Sequence, residues 1–227
     1  QVISDLDQYA SNDETMELLK SILSNSNGSQ RQDINDPNAT DYYYGVRCHA
    51  ARALAKNNTP VNDHASCKIL MDWYKQQFCD FTNNGKVIQP KGHDFDNISR
   101  AYVQLEVIKS LSIIRTSENY THNDVVELLQ TIMEKSKNNT NYNDDAFYAE
   151  VELALGRLRP DTDDKTNRSL KLINYKLDLH ATIPSFCSII TSSGYIAVTA
   201  IALKNPQLLS TRPNITQMRN VIQQTSI

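Results

Sequence analysis

The chain has 227 residues and sets 23 Lys and Arg against 26 Asp and Glu, a formal net charge of -3. That length supports one large domain or two small ones with a real core, and the charge balance excludes a protein that grips nucleic acid by bulk charge alone. Six glycines and seven prolines are too few turn residues for a β-sandwich or barrel, and no apolar run is long enough for a membrane-spanning helix.

Ser11-x-x-Glu14 has the form of a capping box, and Met16, Leu19 and Leu23 follow at helical spacing. Residues 24–40 are polar, hold Gly28 and Pro37, and read as a long loop. Tyr43, Val46, Ala50, Ala53 and Leu54 then predict a helix over 41–56. Asp63 starts another, in which Cys67, Leu70, Tyr74, Phe78 and Phe81 step by three or four. Residues 82–97, with Gly85, Pro90 and Gly92, read as a second long polar loop. Loops of this length are often insertions or binding elements. Lys86-Val87-Ile88 comes nearest to a strand and is too short to predict one.

Ile98, Tyr102, Leu105, Ile108 and Leu111 share a predicted helix face. Thr121-x-x-Asp124 resembles a capping box and leads into Val125, Leu128, Leu129 and Ile132. Phe147, Val151, Ala154 and Leu158 mark the next helix. The acidic stretch Asp161 to Asp164 suits the positive N-terminal end of a helix bearing Leu170, Ile173 and Leu177. Thr182 and Pro184 open a helix with Phe186, Ile190, Ser193, Ala197 and Ile201, which Gly194 is placed to kink. A last helix starts near Pro206 or Thr216. The count is about ten helices, and the fold class is all-α.

Val46-Arg47-Cys48-His49-Ala50-Ala51-Arg52-Ala53-Leu54 has the pattern of the first helix of a HEAT repeat. Small alanines admit a close neighbour, Val and Leu fill the seam, and Arg47 stands where such repeats tie adjacent loops. Arg47 is therefore expected to bond carbonyls or a carboxylate between helix pairs. Small-Leu pairs recur as Ala53-Leu54, Ser110-Leu111, Ala154-Leu155 and Ala202-Leu203, at intervals of 57, 44 and 48 residues. HEAT and armadillo repeats run at ~40–47. The reading is a HEAT/armadillo-like α-solenoid, with 1–227 a single domain. The chain opens at Gln1 without an initiator Met and is expected to be part of a longer polypeptide.

No P-loop, G-x-S-x-G, G-x-G-x-x-G or H-E-x-x-H occurs, so no catalytic residue, cofactor or small-molecule ligand is expected. Cysteines stand at 48, 67, 79 and 187 with no C-x-x-C. Cys48-His49 and His64-x-x-Cys67 supply too few ligands for zinc, and packed cysteines with surface histidines are the expectation. The eight N-x-S/T sequons reflect an Asn-, Ser- and Thr-rich chain. Three consecutive tyrosines, 42 to 44, cannot all face one core. Tyr42, Tyr44 and the single tryptophan, Trp73, are the candidate partner anchors.

Tyr42-Tyr43-Tyr44-x-Val46-Arg47, Ala53-Leu54-Ala55-Lys56 and Val125-Val126-Glu127-Leu128-Leu129 occur in that order. With Asn143-Asp144-Asp145-Ala146-Phe147-Tyr148-Ala149-Glu150, they resemble the family of TBP-associated factor two, the large TFIID subunit. The resemblance runs through gapped blocks from about residue 1 to 205. It implies a non-enzymatic, nuclear scaffold in RNA polymerase II initiation, a HEAT-like stack following an aminopeptidase-like domain. It also implies TBP-associated factors eight and one as partners, with promoter DNA met only within the whole complex. The alternatives are the C-terminal helical domain of an M1-type aminopeptidase and a HEAT-type adaptor. The residues upstream of Gln1 would separate them, since the peptidase keeps its zinc motif there.

Overall fold

The computed structural model describes residues 13–24, 44–58, 64–81, 88–91, 98–135, 144–182 and 188–205. These hold eight helices: α1 (Asp13–Ser24), α2 (Tyr44–Lys56), α3 (Ala65–Phe78), α4 (Ile98–Ile113), α5 (Asn123–Lys135), α6 (Asp145–Arg157), α7 (Asp163–Thr182) and α8 (Ser188–Lys204). Two short strands, β1 (Cys79–Phe81) and β2 (Ile88–Pro90), stand between α3 and α4.

The helices pair in chain order, α1 with α2, α3 with α4, α5 with α6 and α7 with α8. The even helices also pack in series, α2 on α4, α4 on α6 and α6 on α8, while α1 meets α3 and α5 meets α7. This is a two-layer solenoid. Its pairs are antiparallel, because Arg47 at the start of α2 bonds Leu23 near the end of α1 and Arg100 at the start of α4 bonds Gln77 near the end of α3. Even helices run parallel to one another, since Arg115 after α4 reaches the carbonyl of Arg157, the last residue of α6.

One hydrophobic core runs through the stack. It includes Leu19 and Leu23 of α1, Leu54 of α2, Leu70 and Tyr74 of α3, Val107 and Leu111 of α4, Leu129 and Ile132 of α5, Val151 and Leu155 of α6, and Ile190 and Ile201 of α8. Three of the small-Leu pairs, Ala53-Leu54, Ser110-Leu111 and Ala154-Leu155, lie buried on successive even helices. The fourth departs from the pattern. Ile201 takes the core position on α8, and Leu203 is 74% exposed.

The α6–α8 seam is the closest. A Cβ on Gly156 would stand 2.6 Å from the Cα of Ala197, and one on Gly194 would meet Leu177 at 2.7 Å. Gly194 therefore admits a neighbour and does not break α8, which continues unbroken from Ser188 to Lys204.

Several boundaries differ from the sequence reading. Phe81 is not the last residue of a helical face, because α3 ends at Phe78 and Cys79–Phe81 pairs antiparallel with Ile88–Pro90. That strand also interrupts the predicted 82–97 loop, and β2 packs against α5. A strand of three residues has no periodicity of its own and exists through its partner. α3 begins at Ala65 behind the N-cap His64, which holds φ 56 with no side-chain cap bond. Thr121 does not cap α5. Its hydroxyl accepts from the Arg159 N–H, and its own N–H donates to the Arg159 carbonyl. Thr182 closes α7 and does not open α8. Val46 is exposed and does not fill the seam. Ser11, residues 25–40, Asp63, Pro184, Phe186 and the predicted last helix lie outside the described residues.

Gly156→Ala tests the seam. Alanine gains about 1 kcal/mol of helix propensity, but its methyl group lands on backbone that cannot move alone. We expect a net loss on the order of 1–3 kcal/mol, as overpacking typically costs, read by urea denaturation.

Candidate functional site

The last carbonyls of a helix have no partner within it. Here neighbouring side chains supply one. Arg47 Nε donates to the Leu23 carbonyl of α1 at 3.0 Å, and Arg100 Nη2 to the Gln77 carbonyl of α3 at 2.9 Å. Arg115 Nη1 reaches the Ser112 and Ile114 carbonyls at 2.8 and 2.7 Å, and its Nη2 reaches the Arg157 carbonyl at 2.8 Å. Lys204 Nζ donates to the carbonyls of Gly156, Arg157 and Leu158 at 2.7, 2.9 and 3.1 Å. Asn58, just past α2, donates to the Arg115 carbonyl at 3.4 Å. A polar rung thus crosses the C-terminal ends of α2, α4, α6 and α8. Burial, with Arg115 and Arg159 nearby, lowers the Lys204 ammonium to about 8.

The opposite edge, at the start of the even helices, is aromatic and open. Tyr44 is 41% exposed and Tyr102 of α4 is 54% exposed, and their rings stack at 5.6 Å with 28° between planes. Ile98 is exposed one turn before Tyr102. Tyr102 and Ile98 are thus surface residues and not core ones. Tyr42 lies outside the described residues.

Trp73 stands apart from the other candidate anchors. It is 5% exposed, because Phe78 packs edge-on against it at 5.7 Å and the Arg47 guanidinium sits over its ring at 5.7 Å. It is therefore a wall residue and not a surface anchor. With Met16, Lys20 and Asp72 it lines a groove of about 420 Å³ between α1 and α3. Arg47 touches α1 through a carbonyl and α3 through an aromatic face, so one side chain spans three helices.

Ion pairs tie the even layer together. Arg52 of α2 grips Glu106 of α4 through two hydrogen bonds, the Nη2–Oε2 one at 2.8 Å. Glu150 of α6 meets Lys109 of α4 at 3.5 Å and Arg157 at 2.9 Å.

No group of three or more His, Cys, Asp or Glu among the described residues could hold a metal ion. His64 instead meets His122 edge-on at 4.3 Å and contacts Asn58 at 2.8 Å. Cys48, Cys67 and Cys79 are free thiols. Burial pushes the Cys67 thiol up to about 12 and Cys79 up to about 11, which leaves neither as a thiolate nucleophile at neutral pH. Glu152, which reads from the sequence as a helix-surface carboxylate by default, is instead fully buried. It accepts from Ser193 of α8, with Lys176 of α7 nearby, and burial raises it from 4.5 to about 7.

A family model described as TAF2-like, TPR repeats, matches residues 7–157. The chain is also 30% identical over 164 residues to transcription initiation factor TFIID subunit 2 of the fission yeast Schizosaccharomyces pombe. That stretch is 66% of this chain and 14% of the relative, so the chain spans a small part of the length of the protein it matches. The family description names tetratricopeptide-type repeats where the Val46–Leu54 block reads as HEAT-type. Both are stacks of antiparallel helix pairs.

Two outcomes follow from these contacts. Arg47→Ala removes a charge-assisted bond from the α1 end and uncovers Trp73, and we expect a loss of about 1–3 kcal/mol in denaturant unfolding. Glu152 has a folded value above its unfolded one, so it stabilises fully below about 4.5 and this contribution is lost as pH rises through about 7. Lys176 of α7 is the charge near it, and Lys176 in turn lies near Asp144 at the start of α6. Glu152→Gln should flatten the fall in melting temperature between about pH 5 and 8 relative to wild type.

Proposed function

We propose that this chain, which belongs to the TAF2-like family of TPR-repeat proteins, is a non-enzymatic scaffold segment of a TFIID subunit. The match over residues 7–157 carries the reading, and the 30% identity to a TFIID subunit 2 supports it. On this reading the segment acts in the nucleus, in promoter recognition and assembly of the RNA polymerase II initiation complex. Its work is to hold other subunits in place through protein contacts.

The physical features fit that work. A stacked helical surface is extended and suits a long flexible partner. The net charge of -3 offers few phosphate neutralisers, so promoter DNA is met through the assembled complex and not by this segment alone. The partners we assign are TBP-associated factors eight and one. The extended tail of factor eight runs along the stack and is anchored at the open edge by Tyr44 and Tyr102, with Tyr42 close to Tyr44 in sequence. Arg47 is structural on this reading, since it holds α2 in register with α1 and α3 and so fixes where Tyr44 points.

The test is a titration of the factor eight tail against wild type and the Tyr44→Ala/Tyr102→Ala variant. Aromatic anchors contribute on the order of 2 kcal/mol or more, so the variant should bind at least ~10-fold more weakly, with an unchanged far-UV spectrum. Equal binding by both removes the anchor assignment. Tight duplex DNA binding by wild type at physiological salt, without capture of the tail, removes the scaffold reading.

A further inference from the structure

Three cations meet at the turn that follows α6. Lys204 Nζ and Arg115 Nη2 both donate to the Arg157 carbonyl, at 2.9 and 2.8 Å, so two full positive charges share one oxygen. Arg159 stands two residues on with an exposed side chain. Arg157 itself is neutralised by Glu150 at 2.9 Å, but these three are not. The C-terminal ends of α4 and α6 each supply about half a negative charge, against three whole positive ones. Among the described residues no carboxylate acts on Arg115 or Lys204. The charges that do are cations, Arg159 on both of them and Arg115 on Lys204. The turn therefore carries an uncompensated positive field.

We propose that this cluster is an anion site, in which Arg159 takes a carboxylate from an acidic peptide segment of a partner protein while Arg115 and Lys204 add charge. The proposal is independent of any role in transcription. Three observations name the occupant. The first is donor capacity. All three N–H groups of Lys204 are on carbonyls, and Arg115 has spent three of its five. Among the described residues Arg159 bonds only through its backbone. Its guanidinium fork is unspent and matches a carboxylate bidentately. An anion can thus bind without pulling apart the bonds between repeats.

The second is that Arg159 is held in place. Thr121, only 2% exposed, accepts the Arg159 N–H at 2.9 Å and donates its own N–H to the Arg159 carbonyl at 2.7 Å. Pro160 follows and keeps the residue before it extended. A fixed backbone lowers the entropy lost on docking. The third is the surroundings. Ile113, two residues before Arg115, and Tyr120, next to Thr121, are 50 and 42% exposed. They offer apolar contact to residues flanking the carboxylate. Glu118 and Asp161 are exposed on either side in sequence and break any row of cations. A phosphate backbone needs such a row, whereas a single side-chain carboxylate does not.

The experiment is fluorescence polarisation on the full chain. The probe is a short labelled peptide that alternates Asp or Glu with Leu or Phe, and its control carries Asn and Gln in place of the acids. The acidic peptide should bind saturably, the amide peptide should not, and binding should weaken as salt rises. Arg159→Ala should bind at least ~10-fold more weakly and keep the wild-type melting temperature, since the Thr121 bonds are to the backbone. In wild type, the Lys204 ammonium titrates at about 8, and the arriving anion should raise it, read by NMR with and without peptide. This last measurement needs no variant. Absence of saturable binding, or equal binding by Arg159→Ala and wild type, overturns the proposal. So does a peptide that binds and leaves the Lys204 titration unmoved. Duplex DNA that binds more tightly than the peptide, and needs Arg159 to do so, also overturns it, since the occupant is then a nucleic acid.

Discussion

The open carbonyl end of each helix is the constraint that the rest of this stack answers. A helix C-terminus presents orphan acceptors and partial negative charge, and a solenoid lines such ends up along its edges. This chain places a cation from an adjacent helix or loop on them. Arg47 serves α1, Arg100 serves α3, Arg115 serves α4 and α6, and Lys204 serves α6. Hydrogen bonds from charged groups are worth about 1.5–3 kcal/mol each. The donors stand 23 to 48 residues from their acceptors in α1, α3 and α6, so each bond reports that two repeats are docked. In a structure whose units touch only their neighbours, contacts of this kind turn separate helix pairs into one body.

The same logic sets how closely the layers approach. Lys204 reaches three carbonyls of α6 only because α8 lies against α6, and Gly156 with Ala197 permits that approach. Further along the layer the spacing is held by charge. Arg52 and Glu106 span α2 and α4, and Lys109 and Glu150 span α4 and α6. Glu106 and Glu150 are well shielded while their cations stay nearer the surface. The carboxylates thus fix the register of neighbouring helices at modest desolvation cost, since only one partner of each pair is taken far from water.

Much of this architecture was legible in the residues, and the misses have physical causes. Periodicity found the core of α5, α6 and α8 because Leu129, Val151 and Ala197 each sit within a run that keeps to one face. It failed on α4. Ile98, Tyr102, Leu105, Ile108 and Leu111 end in successive steps of three, each about 60° short of a full turn. Such a series winds around the helix, so its first members face solvent and its last face the core. Val103 and Val107, a clean step of four, were the better signal. Thr121 was mistaken for a cap because a hydroxyl before a helix can also accept from a distant loop. The strand at Ile88 depends on a partner seven or more residues away in sequence. Trp73 shows the limit for surfaces, since a single aromatic residue carries no periodicity to say which way it faces.

The two edges of the stack divide the labour. Around α4 and α6, the C-terminal edge of the even helices is spent on internal bonds, and its Arg115 and Lys204 donors are already committed to carbonyls. An anionic partner there has to be taken by Arg159, since drawing Arg115 or Lys204 off their carbonyls would undo the contacts that hold the repeats together. At the N-terminal edge Arg47 and Arg100 are likewise committed to the Leu23 and Gln77 carbonyls, but the aromatic rings beside them are not. Tyr44 and Tyr102 stack on each other across α2 and α4 while each keeps a wide exposed face. Their spacing is set from below by Arg47 on Leu23 and by Arg52 on Glu106. Ordering two rings in advance lowers the entropy lost when a flexible chain docks on them. A partner captured at this edge therefore meets a prepared aromatic surface without disturbing the bonds that make the surface rigid.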